Sequence, residues 1–192
     1  MKKNVGFVSF RIAGTDGVSL ETKKWADILE RNSCTCYYLG GELDTPEERS
    51  IFAPGLHFQE PDIRQTYEQC FSRGNRPGEL TATLHRQREE IKKTLYEFVR
   101  RFSIDILIPE NAVTIPLNVP LGMALTEFVA ETGINTIAHH HDFFWEREEF
   151  LNSKVADILE AFFPPDFKTI KHVVINSIAQ RSLWLKKNIK AV

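Results

Sequence analysis

The sequence predicts an α/β domain whose parallel sheet carries helices on both faces, a single Rossmann-like unit. Two observations predict it. Short apolar runs of strand length alternate with segments whose apolar residues recur at helical spacing. Polar residues gather where those runs end, at Arg11 to Asp16, Glu110-Asn111, His139 to Asp142 and Asn176-Ser177. Ligands of an open parallel sheet bind outside the carboxyl ends of its strands, so polar exits sharing one rim mark a site.

A chain of 192 residues is long enough to bury most of its apolar surface as one domain. Its net charge of −2 leaves no basic footprint for nucleic acid. No apolar run approaches membrane-spanning length, and Met1-Lys2-Lys3-Asn4 followed by a strand lacks a signal-peptide pattern. Cys34, Cys36 and Cys70 are odd in number, and Cys34 and Cys36 share a strand face, which suits neither a disulfide framework nor a zinc knuckle. Buried free thiols in a reducing cytoplasm are the reading that follows.

The first strand is Val5–Phe10. It runs into Arg11-Ile12-Ala13-Gly14-Thr15-Asp16-Gly17, a loop whose glycines permit a tight turn and close approach of a ligand. Its Gly14-x-x-Gly17 spacing matches neither the dinucleotide fingerprint nor the GK[ST] phosphate loop. Ser19 suits a helix N-cap, and Leu20, Trp25, Ile28 and Leu29 form the stripe behind it. Cys34–Leu39 is the second strand, closed by Gly40-Gly41, and residues 42–58 read as a loop with at most one turn. Pro61–Phe71 reads as a short helix broken by the Gly74–Gly78 segment. Leu80, Leu84, Ile91, Leu95, Phe98 and Phe102 trace a long helix, with Arg86, Arg88, Glu89, Glu90, Lys92 and Lys93 as its solvated face.

Ile104–Ile108 is a strand stopped by Pro109. Pro116–Glu131 reads as helix with Pro120 in its first turn, Thr136–Ala138 as strand, and Phe143–Phe163 as largely helical up to Pro164-Pro165. Lys171–Ile175 is the last strand, and Ile178–Lys187 the last helix. Repeats and low-complexity linkers are absent from the sequence, so one domain is expected.

Three readings of His139-His140-His141-Asp142 stand side by side. Side chains alternate across an exiting strand, so at most two of the histidines serve one site. Zinc needs three convergent ligands, which neither the spacing nor a downstream histidine or cysteine supplies, so no metal is expected. Capping or core histidines bonded to backbone are a second reading. The third is a polar ligand site in which His141, steered by Asp142, contacts substrate. Trp145-Glu146-Arg147 then reads either as part of an amphipathic helix or as a sugar-stacking aromatic with polar clamps.

These segments together resemble the amino-terminal domain of a GT-B-fold glycosyltransferase of family four, whose members include sucrose-phosphate-synthase-like and mannosyltransferase-like enzymes. The carrying residues are the Gly14–Ser19 loop, Glu110-Asn111, the string from His140 through Asp142, Phe143 and Trp145 to Arg147, and Asn176-Ser177. The resemblance covers essentially the whole chain. It implies two Rossmann-like domains, with the site in the cleft between them and the acceptor on the amino-terminal side. By that likeness Gly14 and Gly17 lie against the donor diphosphate, and His141 contacts the transferred sugar, with Asp142 beside it. Arg11, Asp16, Glu110, Asn111, His140, Trp145 and Arg147 are acceptor-side candidates. Such enzymes retain anomeric configuration without a metal or other cofactor.

The family's donor half, with its cationic pair for the diphosphate, would follow Val192, and the sequence holds no second Rossmann unit. The expectation is therefore the acceptor-binding half of a nucleotide-sugar-dependent transferase, inactive without a donor domain in cis or trans. Its partners are expected to be a nucleotide sugar, held weakly by this chain alone, and a sugar-containing or other small-molecule acceptor. The alternative is a stand-alone module that binds a sugar or sugar phosphate without catalysis. A hydrolase is disfavoured, because no Gly-x-Ser-x-Gly elbow occurs.

Overall fold

A computed structural model describes residues 2–192. Six parallel strands, β1 (Lys3–Ser9), β2 (Cys34–Gly40), β3 (Ser50–Phe52), β4 (Ile106–Pro109), β5 (Asn135–His140) and β6 (Ile170–Val174), lie in the order β3-β2-β1-β4-β5-β6. The order reverses between β1 and β4, and a crevice opens at the carboxyl ends where such a reversal occurs. β1 aligns Val5 with Cys36 of β2 on one side and with Ile106 of β4 on the other. The single Rossmann-like domain expected from the sequence is what the chain forms.

Alternation along the strands sends apolar residues to both faces. Val5 and Phe7 of β1, Ile108 of β4 and Ile137 of β5 pack with Trp25, Ala26 and Leu29 of α1 (Gly17–Arg31). Val8, Leu107 and Ala138 pack on the opposite face with Leu95 and Phe98 of α3 (Gly78–Phe102) and with Leu121, Leu125 and Phe128 of α4 (Val119–Thr132). A flanking cluster joins α2 (Pro61–Cys70) through Cys70, α3 through Leu84, α4 through Met123, and α5 (Ala156–Phe162) through Leu159. Gly122 belongs here for a steric reason. A β-carbon on it would lie 2.1 Å from the ring of Phe163. Finally, α6 (Ser177–Lys187) starts from an Asn176 cap and packs Leu183 against Phe143.

Three regions differ from the sequence expectation. Residues 42–58 are not a plain loop, since they hold two 3-10 turns and β3, whose Ser50 pairs with Tyr38 of β2. Three residues are too few to show a period. Phe143–Phe163 is α-helical only over α5, preceded by two 3-10 turns at Phe144–Glu146 and Glu148–Phe150. Extended backbone at Phe143 and Arg147 interrupts it, and the Phe144 amide is drawn away to the Thr114 carbonyl at 3.0 Å. Arg88 and Lys92 are not solvated ornament either: they are half-buried and pair with Glu127 of α4 at 2.9 and 3.0 Å. Among the described residues no helix is long and apolar enough to cross a membrane.

Candidate functional site

Of the polar strand exits, those of β1 and β4 flank the strand reversal with that of β5 beside them, while Asn176-Ser177 follow β6 at the sheet edge. Beyond β1 and β4 the chains stay in register, with Glu110 N–H donating to Val8 carbonyl at 2.8 Å and Asn111 N–H to His139 carbonyl at 2.9 Å. Asn111 is the joint of the rim. It adopts φ 57°, a left-handed conformation that asparagine tolerates better than most residues. Its Nδ2 donates to Asp142 Oδ1 at 2.8 Å, while its Oδ1 accepts from the His141 amide and the Thr114 hydroxyl, both at 3.1 Å. One side chain therefore fixes how β4 and β5 end relative to each other.

Beside Asn111 lies a cleft of about 190 Å³, lined by Ser9, Phe10, Arg11, Asp16, Asn111, Phe58, Leu117 and Arg147 among others. Four of the sequence candidates meet here. Each arginine is paired with a carboxylate: Arg11 Nη2 lies 3.1 Å from Asp16, and Arg147 Nε lies 2.9 Å from Asp142. Asp16 also caps α1, accepting from the Val18 and Ser19 amides at 3.1 and 3.2 Å and from the Ser19 hydroxyl at 2.7 Å. Partial burial by itself would raise the Asp16 carboxyl, but the Ser19 hydrogen bonds and the Arg11 guanidinium hold it below the usual carboxylate range. The cap position was assigned to Ser19 from sequence; the residue that fills it is Asp16, three positions earlier, with Ser19 answering it.

A second cluster lies on the α1 face. His139 and His141 point to that face, two residues apart, and Glu110 of the neighbouring strand exit points with them. Glu110 Oε2 lies 2.8 Å from His139 Nδ1 and 3.6 Å from His141 Nε2. The Trp25 indole stacks on His139 at 4.6 Å between ring centroids. Glu110 is fully buried, so it supports the imidazoles and does not present itself to an acceptor.

Several expectations are corrected by this geometry. Asp142 does not steer His141. Adjacent residues on extended backbone point apart, and Asp142 is held by Asn111 and Arg147 while Glu110 faces His141. His140 leaves the site altogether: it is fully buried and its Nε2 meets His172 Nδ1 at 2.8 Å. Trp145 is turned to α6, stacked on Phe143 and donating its Nε1–H to Ser182 at 2.9 Å. In the glycine loop, the Gly14 amide is taken by Asp44 at 2.9 Å, so that donor is already committed to an acid. Gly17 opens α1, and a β-carbon there would meet nothing. Asn176 and Ser177 start α6, where Asn176 Oδ1 accepts from the Ala179 amide at 2.8 Å.

Trp25 and Asp44 were missed by sequence reading, as was the partnership of Glu110 with His139. The last had a legible signal, two polar residues at the exits of strands that could be neighbours. The fold sets the Glu110 carboxylate beside His139 and His141, a third donor that is neither the histidine nor the cysteine a sequence pattern for zinc looks for.

No protein-family model matches the chain. It is 32% identical over 193 residues to mannosylglucosylglycerate synthase of Petrotoga mobilis, covering 98% of this chain and 43% of that protein. The mannosylglucosylglycerate synthase of Thermotoga maritima is likewise 32% identical, over 199 residues and with the same coverage. The chain thus spans less than half the length of the curated relatives it matches. Among solved structures, nicotinate-nucleotide-dimethylbenzimidazole phosphoribosyltransferase of Thermus thermophilus superposes with a TM-score of 0.47 and 8% identity, over all of this chain and 74% of that one. That likeness is too distant to carry an argument.

Proposed function

We propose that this chain is the acceptor-binding half of a retaining, nucleotide-sugar-dependent glycosyltransferase of the GT-B type in family four. The observation that carries the reading is the cleft at the strand reversal, where Arg11, Asp16, Asn111 and Arg147 converge. Two guanidinium–carboxylate pairs offer donors and acceptors side by side, which suits a polyhydroxylated ligand, and Phe10 and Phe58 supply an apolar wall. The relatives, named as synthases of a mannosyl- and glucosyl-bearing glycerate, match this chain nearly end to end, which supports a sugar derivative as the acceptor. A carboxylate on that acceptor would exchange with Asp16 or Asp142 for an arginine fork.

In this reading, the work of the chain is positioning. Asn111 sets the angle between the exits of β4 and β5, and Arg147 is locked by Asp142 at the cleft mouth. His141, by the family likeness, is the contact to the transferred sugar, with Glu110 behind it; stabilising the departing diphosphate falls mainly to the donor domain. The glycine loop contributes less than its sequence suggests, because the Asp16 and Asp44 carboxylates already occupy the Val18, Ser19 and Gly14 amides. Gly17 is the position left for close approach.

Calorimetric titration of the chain with sugar acids and with nucleotide sugars tests the reading. Acceptor-type sugar acids should bind, and Arg147→Ala and Arg11→Ala should each weaken them at least tenfold. Nucleotide sugars should bind only at about millimolar concentration, about 4 kcal/mol of binding free energy. Micromolar nucleotide-sugar binding that ignores both arginines would oppose it. Sugar-acid binding without any transfer activity in the full two-part protein would favour the stand-alone binding module.

A further inference from the structure

We propose that Glu110, His139 and His141 bind one divalent transition-metal ion of the zinc or cobalt class. One donor atom from each of these residues lies within 4.8 Å of the other two. A tetrahedral zinc centre with bonds of about 2.0–2.2 Å places its ligand atoms about 3.3–3.6 Å apart. Of the carboxylate edges, the 3.6 Å to His141 Nε2 falls at that range, and the 2.8 Å to His139 Nδ1 is short of it by at least about half an ångström. Coordination requires the His139 ring to draw back slightly from the carboxylate and the two imidazole nitrogens to settle at the same spacing, within the 4.8 Å that now bounds the three donors.

The electrostatics point the same way. Glu110 is fully buried, and among the described residues the side chains against its carboxylate are these two imidazoles, with no arginine or lysine ion-paired to it. Its Oε1 and the His141 Nε2 are buried atoms without a hydrogen-bond partner. A single proton on one imidazole satisfies one edge of the triangle, whereas a cation among the three donors satisfies all of them. Two neutral imidazoles and one carboxylate are a borderline nitrogen–oxygen set. It suits zinc or cobalt and suits neither magnesium nor calcium, which demand oxygen ligands.

The surroundings hold the ligands in place. Trp25 covers the His139 ring, and the His141 backbone amide is fixed by Asn111 Oδ1. His141 is the partly exposed member, with 18% of its side chain accessible although its Nε2 is buried, so the cluster lies just beneath the rim. The site requires only these three side chains; it shares His141 with the transferase reading, but its test reads metal binding and not sugar transfer.

The test uses the untagged chain, stripped with chelator and titrated with cobalt(II) while the visible absorption of the ion is followed, then with zinc(II) in competition. One cobalt per chain with an intense low-symmetry band, displaced by one zinc, is expected. His141→Ala and Glu110→Gln should each weaken binding more than tenfold, while His85→Ala, on exposed α3 surface, should leave it unchanged. Circular dichroism checks the fold of each variant. Should Glu110→Gln not fold, His141→Ala at the rim decides. Absence of saturable binding, or stoichiometric binding that survives His141→Ala, would overturn the proposal.

Discussion

Glu110 Oε2 and His139 Nδ1 meet at 2.8 Å across the exits of β4 and β5, under the Trp25 indole, with both side chains almost wholly buried. The pair ties two strands together just beyond their ladder. Removing one partner strands the other's polar atoms in an apolar setting. Glu110→Ala is expected to cost about 1–3 kcal/mol in urea unfolding, and Glu110→Gln, which keeps a hydrogen-bonding oxygen, less. Equal costs for the two would show that neither side-chain volume nor an amide oxygen replaces the carboxylate opposite His139.

Asn111 makes a prediction in which alanine and glycine separate. Both substitutions lose the bonds to Asp142, His141 and Thr114, but only glycine accepts φ 57° without strain. Asn111→Ala should therefore be less stable than Asn111→Gly, by about 1 kcal/mol. The usual order, with glycine the worse, would contradict the conformational role.

The glycine loop gives a second contrast. Gly14 sits at φ 75°, whereas Gly17 has ordinary backbone and open space where a β-carbon would go. Thermal unfolding should show Gly14→Ala losing about 1 kcal/mol and Gly17→Ala changing by less than about 0.5 kcal/mol. If Gly17 lies against a donor, Gly17→Ala in a protein with both halves should nevertheless weaken nucleotide-sugar binding. Unchanged affinity there would remove Gly17 from the site.

Acid should destabilise the chain through His172. Burial pushes its imidazole down to about 4, despite the opposing pull of Asp166. In the unfolded chain the same group takes up its proton near pH 6.5, so between pH 6.5 and 4 the unfolded state binds more protons. Stability therefore falls as pH falls through that window, at up to about 1.4 kcal/mol per pH unit from this one group, and levels off below it. His172→Gln keeps a partner for His140 and should flatten the slope; an unchanged slope would assign it to other groups.

Much of this was legible in the sequence because it rests on long periods. The alternation of strand and helix fixed the sheet, and polar strand exits located the rim that joins Arg11, Asn111 and Arg147. What escaped was decided by contacts between distant segments. The pairing of Glu110 with His139 depends on which strands are neighbours, and no local pattern carries that. The segment from Phe143 to Phe150 has helical spacing, yet Thr114 takes the Phe144 amide and Ser182 takes the Trp145 indole, so tertiary bonds outweigh propensity. The charges of α3 looked like a solvated face because Glu127 and Glu131, their partners, lie on another helix.

The central claim, that this chain is an acceptor half which needs a donor half, is most directly tested by joining one. Residues 1–192 would be fused to the carboxy-terminal remainder of the Petrotoga mobilis synthase, and sugar transfer from a panel of nucleotide sugars measured for the fusion and for the chain alone. Transfer by the fusion, lost on Arg147→Ala, and none by the chain alone is the expected result. Turnover by residues 1–192 alone, or a folded fusion that binds nucleotide sugar and transfers nothing, would contradict it.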